Sequence, residues 1–167
     1  ERLIIDAGYS PLLFSAHGDR KVENEILDNL RAQKPAGVLL APLGRASDKD
    51  YIANFCEDVP TVLFDSHLEG LGEAFVGSDN YSFVYQSVEY LQRTGDSPCF
   101  LEMAKPANPN ANKRRNAYLK AMEIFGLEPH VISVPGEGWG FEEIGYQAGL
   151  DLLRNNLLPT KTVLCSN

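Results

Sequence analysis

The sequence predicts an α/β protein built on parallel sheet with helices packed on both faces. Two observations predict it: short, branched apolar runs alternate with helically spaced apolar stripes along the chain, and capping residues fall at the junctions. A parallel connection needs a crossover, which is usually helical, so repeated strand, helix, strand units imply parallel pairing.

The elements follow in order. Leu3, Ile4 and Ile5 before Asp6, Ala7 and Gly8 read as the last turn of a helix with its glycine cap. Strand runs are expected at Pro11 to Ser15, Gly37 to Ala41, Thr61 to Asp65, Phe75 to Gly77, Cys99 to Met103, His130 to Val134 and Thr162 to Ser166. Between them, Val22, Ile26, Leu27 and Leu30 form one helical stripe, and Phe83, Val84, Ser87, Val88 and Leu91 a second. Tyr118, Met122 and Phe125 form a third, and Ile144, Ala148 and Leu152 a fourth, with a weaker pattern over Asp48 to Cys56. Asp79 or Asn80 is placed to cap the second stripe and Gly126 to end the third, while Pro135 and Gly136 are expected to end a strand. The polar stretch Pro106 to Asn112 reads as a loop leading into a helix start. Both ends read as cut from a longer parent chain, the first in mid-helix and the last at the tip of a strand.

With 167 residues, 44% of them apolar, there is material for one domain or two small lobes. No apolar run is long enough to span a bilayer, and no signal peptide is visible, so no membrane partner is expected. Twenty-three acidic against 15 basic side chains give a net charge of −8, which repels a phosphate backbone. Direct contact of this segment with nucleic acid is therefore not expected. Cys56, Cys99 and Cys165 fit neither metal-ligand spacing nor a disulfide framework; they read as reduced, mostly buried thiols, which favours the cytoplasm.

Ligands in open parallel sheets bind beyond the carboxyl ends of the strands. The residues found there are Pro42 and Leu43, Asp65 with Ser66 and His67, Asp79 with Asn80, Lys105 with the Asn-rich loop and Arg114, Gly138 with Trp139, and Asn167. A polyol calls for these types: carboxylate and amide to exchange hydrogen bonds, guanidinium as a planar donor, indole for the apolar face of a ring. Each has a plainer reading. Asp65 can simply start a turn, Arg114 can belong to a solvated basic turn with Lys113 and Arg115, and Trp139 can pack on the following helix.

Enzyme readings are weaker. The glycines at 136, 138 and 140 lack dinucleotide spacing and a following GK[ST], and Glu137, Glu142 and Glu143 oppose an anion. His17, His67 and His130 lack metal-ligand spacing, and no GxSxG elbow exists. Glu142 and Glu143 are adjacent on a helix and point apart. No catalytic residue, cofactor or metal is assigned.

The runs VPTVLFDS, FVGSDNYSFVYQSVEYLQRTG, KRRNAYLKAMEIFGL, GWGFEEIGYQAGLDLL and PTKTVLCSN together resemble, in order and spacing, the effector-binding domain of the lactose and galactose repressor family. The resemblance covers nearly the whole chain. It implies two similar α/β lobes with a sugar or other small metabolite between them, divided here as 1–78 and 79–167, both partial. It further implies that Asp65, Arg114, Trp139 and Asn167 bind the ligand and that Asn110 adds a polar contact from its loop. Ala117 and Tyr118 stand where the family usually carries glycine and an aromatic. DNA binding by a helix-turn-helix outside this chain, a homodimer, and a cytoplasmic location are implied in the same way. Periplasmic sugar-binding proteins of transport systems share the fold and many of the motifs, and are the alternative. Neutral sugars suit Asp65 and Arg114, an acidic sugar could engage Arg114 with Lys105, and a purine could stack on Trp139.

Overall fold

The computed structural model describes residues 2–94, 96–106, 109–138 and 141–166. In chain order it contains α1 (Arg2–Asp6), α2 (Arg20–Gln33), β1 (Val38–Leu40), a 3-10 turn (Gly44–Ala46), α3 (Lys49–Asp58), β2 (Thr61–Phe64) and β3 (Ala74–Val76). Then come α4 (Asn80–Thr94), β4 (Cys99–Pro106), α5 (Asn110–Phe125), β5 (Val131–Gly138), α6 (Phe141–Arg154) and β6 (Val163–Cys165). The strands form two parallel sheets, ordered β1-β2-β3 and β5-β4-β6.

Side chains that accept the orphan N–H groups of the first turn set the helix starts. Asp19 accepts from the Lys21 N–H at 2.7 Å, Asp48 from the Tyr51 N–H at 3.1 Å, and Asp79 from the Ser82 N–H at 3.0 Å and hydroxyl at 2.7 Å. Those two bonds from Ser82 also hold the Asp79 carboxyl below its ordinary range. Gly126 ends α5 in the left-handed conformation at φ +65°, its N–H donating to the Glu123 carbonyl, so the predicted cap is observed.

The first core lies between the first sheet and α2 with α3, where Leu27, Leu30, Ile52, Phe55 and Val59 are buried against Val38 and Leu40. The opposite face of this sheet shows Leu39, Phe64 and Val76 to solvent. The second core joins α4 and α5 to the second sheet through Val84, Val88, Phe100, Ala117, Tyr118, Ala121 and Met122. Phe100 and Tyr118 stack at 5.0 Å between ring centroids. The fully buried Tyr118 hydroxyl donates to the Pro98 carbonyl at 2.9 Å and accepts the His130 N–H at 3.0 Å, tying α5 to the starts of β4 and β5. Helix α6 packs on β4 and β5 as well, with Ile144 against Gly136 and Met103.

Three expectations are corrected. Pro11 to Ser15 forms no strand, and Leu13 is 97% exposed. An apolar branched run permits an extended chain, but a strand exists only where a neighbour takes its N–H and C=O groups, and among the described residues none does. Strand β5 does not end at Pro135 and Gly136 but continues to Gly138. Its place at the sheet edge tolerates the proline, which lacks an N–H. The glycine is required by close packing: a Cβ there would lie 2.8 Å from Ile144 Cδ1 and 3.0 Å from Met103 Sδ. Of the cysteines, all free, only Cys99 is buried; Cys56 is half-buried and Cys165 exposed, because β6 is an edge strand.

Candidate functional site

The segments that follow β1, β2, β3 and β6 meet at the start of α5, through Gly44 against Pro109, Asp65 with Asn110, and Asn80 and Ser166 with Arg114. Asp65 follows β2 directly and sits at φ +60°, a conformation that aspartate tolerates better than most residues. Its N–H donates to the Val76 carbonyl of β3 at 3.0 Å, which fixes the turn. Across from it, the first residue of α5, Asn110, is fully buried and its Nδ2 donates to the Asp65 carbonyl at 2.9 Å and to Asp65 Oδ1 at 3.2 Å. This pair joins the end of one sheet to the end of the other.

Arg114 lies four residues after Asn110 and therefore on the same helix face. Its Nε donates to Asn80 Oδ1 at 2.7 Å and its Nη1 to the Ser166 carbonyl at 2.6 Å. Asn80 is itself oriented by its Nδ2, which donates to the Ser78 carbonyl at 3.1 Å. Thus the guanidinium is held by a planar fork between the start of α4 and the tip of β6, in the geometry that suits arginine and not lysine.

Of the residues expected from sequence, Asp65 and Asn110 touch, and Arg114 stands one helical turn away, bonded to the residue that precedes Asn167. Trp139 and Asn167 lie outside the described residues. Lys105 is on β4 rather than beyond it, since the strand runs to Pro106. Sequence reading missed the positioning role of Asn80, although its place directly after the capping Asp79 at a strand end was a usable signal. Ser166 contributes only backbone and left none. Nor did any pattern reveal the contact between Gly44 and Pro109, where a glycine Cβ would stand 2.6 Å from Pro109 Cδ.

The arrangement offers carboxylate, amide and guanidinium at one end of two sheets, the donors and acceptors that hydroxyl groups exchange. Glu142 and Glu143 stay separate, Glu143 accepting from Gln147 Nε2 at 2.8 Å. Among the described residues no group of three or more His, Cys, Asp or Glu side chains is placed to hold a metal.

Comparison with known proteins agrees with a binding rather than a catalytic domain. The curated "NTD biosynthesis operon regulator NtdR" of Bacillus subtilis (strain 168) is 22% identical over 140 residues, covering 84% of this chain and 42% of the regulator. The chain thus spans less than half the length of that relative. The solved Cra transcriptional dual regulator from Pseudomonas putida, in complex with fructose 1-phosphate, superposes with a TM-score of 0.77 at 19% identity, over 99% of this chain and 60% of that one. A sugar-binding protein of a sugar ABC transporter from Bacillus halodurans gives a TM-score of 0.76 at 19% identity, over 98% of this chain and 57% of its own. At these identities the structural likeness shows the fold. The model of the periplasmic binding protein domain matches residues 4–167, and the chain belongs to that family.

Proposed function

We propose that this chain is the effector-sensing part of a bacterial transcription repressor, binding a sugar between two lobes that divide near Ser78 and Asp79. The observation that carries it is the pair of linked contacts, Asp65 with Asn110 and Arg114 with Asn80 and Ser166, which gathers carboxylate, amide and guanidinium groups of the kind a polyol would need where the ends of the two sheets meet. The similarity to a curated operon regulator supports the repressor reading. Trp139 and Asn167 complete the ligand set in this reading. Ligand changes the relative angle of the lobes, and a homodimer in the cytoplasm passes that change to helix-turn-helix heads on DNA. A ligand shifts such an equilibrium only by its differential affinity for the two arrangements.

Thermal melts of the full-length protein against trehalose, glucose, arabinose and fructose 1-phosphate test the assignment. A stabilising sugar is expected, and its effect should vanish in Asp65→Ala and Arg114→Ala. Stabilisation that persists in both variants refutes the site. The transport reading is favoured by the sugar-binding neighbour of nearly equal TM-score. Sugar-dependent retention of an operator-containing DNA fragment by the full-length protein separates the two, since a transport protein shows none.

A further inference from the structure

Gly44 and Pro109 meet where the turn after β1 faces the start of α5. Pro109 Cδ and Cγ occupy positions only 2.6 and 3.0 Å from where a Cβ on residue 44 would be, so no other residue type lets the two segments come this close. The same seam buries Ser66, whose Oγ has no hydrogen-bond partner among the described residues. Packing of the turn on the proline and the bonds from Asn110 to Asp65 hold the seam closed. The turn is braced from behind: the buried Glu23 accepts the Leu43 N–H at 3.1 Å and the Ser47 hydroxyl at 3.1 Å.

We infer that Gly44 is a positioning residue that sets how closely the two halves of the site approach, with the ring of Pro109 as the stop against which it closes. This rests on the proposed binding cleft but not on the identity of its ligand. Ligand that engages Asp65 and Arg114 together requires the closed seam, so its apparent affinity scales with the closed fraction.

The test is energy transfer between dyes on cysteines placed at the exposed positions Lys49 and Lys113, five residues after Gly44 and four after Pro109, in full-length protein cleared of other cysteines and without ligand. Gly44→Ala is expected to lower the transfer efficiency. Gly126→Ala is the control, because residue 126 has nearly the same φ, +65° against +68°, but nothing within 4 Å of its Cβ position. It should leave the efficiency unchanged. Adding Pro109→Ala to Gly44→Ala removes the clashing ring atoms and should restore the wild-type efficiency. Should Gly44→Ala fail to fold, Pro109→Ala alone must raise the efficiency by removing the stop. Equal efficiency in wild type and Gly44→Ala, or no rescue by Pro109→Ala, overturns the proposal. Widening in Gly44→Ala without any stabilising sugar would uphold the seam and sink the sugar reading instead.

Discussion

Arg114 reaches from the start of α5 to Asn80 at the start of α4, its Nε donating to Asn80 Oδ1 at 2.7 Å, so the residue expected to hold ligand is itself held by a buried amide. A second arm of the same guanidinium takes the carbonyl of Ser166 at 2.6 Å. Arginine here ties two helices and a strand together before any ligand arrives.

Arg114→Lys should therefore cost stability as well as affinity. A single ammonium cannot reproduce the fork, and loss of a charge-assisted hydrogen bond costs about 1.5–3 kcal/mol. In urea unfolding, a double-mutant cycle with Asn80→Ala should give a coupling energy of roughly 1 kcal/mol. Simple additivity of the two substitutions would contradict the bond.

Tyr118→Phe should destabilise by about 1–3 kcal/mol, because it strands the buried Pro98 carbonyl and His130 N–H that the hydroxyl satisfies. Burial raises the Tyr118 pKa above 10.0. The proton is thus bound more tightly in the folded state, and the associated stability is complete below the unfolded pKa and lost as pH rises through the folded one. Melting curves on the alkaline side should fall less steeply for Tyr118→Phe than for wild type.

Glu23 should make stability depend on acid in the same sense. Burial raises its carboxyl above 4.5, against the lowering effect of bonds from Ser47 and Leu43. Its contribution is present below the unfolded pKa and declines as pH rises through the raised folded value. Glu23→Gln should flatten the melting temperature across that window. Glu23→Ala, which strands the Leu43 N–H, should instead lower it throughout, by about 1–3 kcal/mol of stability.

Phe55→Ala and Phe100→Ala remove fully buried rings from the first and second core, and each should cost about 3–5 kcal/mol in denaturant unfolding. Phe83→Ala, at an exposed position on α4, should stay within about 0.5 kcal/mol of wild type.

Helices were the most legible elements. Leu27 and Leu30, Val84 and Val88, and Tyr118 and Met122 repeat at helical spacing and are the residues found in the two cores, because a helix shows its buried face within four residues of sequence. Strands were less so. Pro11 to Ser15 has the composition of a strand but no partner among the described residues, and β5 passes through Pro135 and Gly136 because an edge position and the nearness of Ile144 suit them there. Both outcomes depend on a neighbour that local pattern does not specify.

By itself the sequence determined the alternation of strands and helices, a cap at Asp79 or Asn80 and another at Gly126, and the presence of Asp65, Asn110 and Arg114 near strand ends. Those follow from local backbone preference and from the period of apolar residues. Only the tertiary structure decided that Asn110 bonds Asp65, that Asn80 and Ser166 hold Arg114, and that Gly44 admits the ring of Pro109. These contacts join residues 34 to 52 positions apart for the first bonds of Asp65 and Arg114, and their distances are set by how two separately built sheets meet. Hydrogen bonding and steric exclusion act at that meeting over a few ångströms, and no spacing along the chain encodes them.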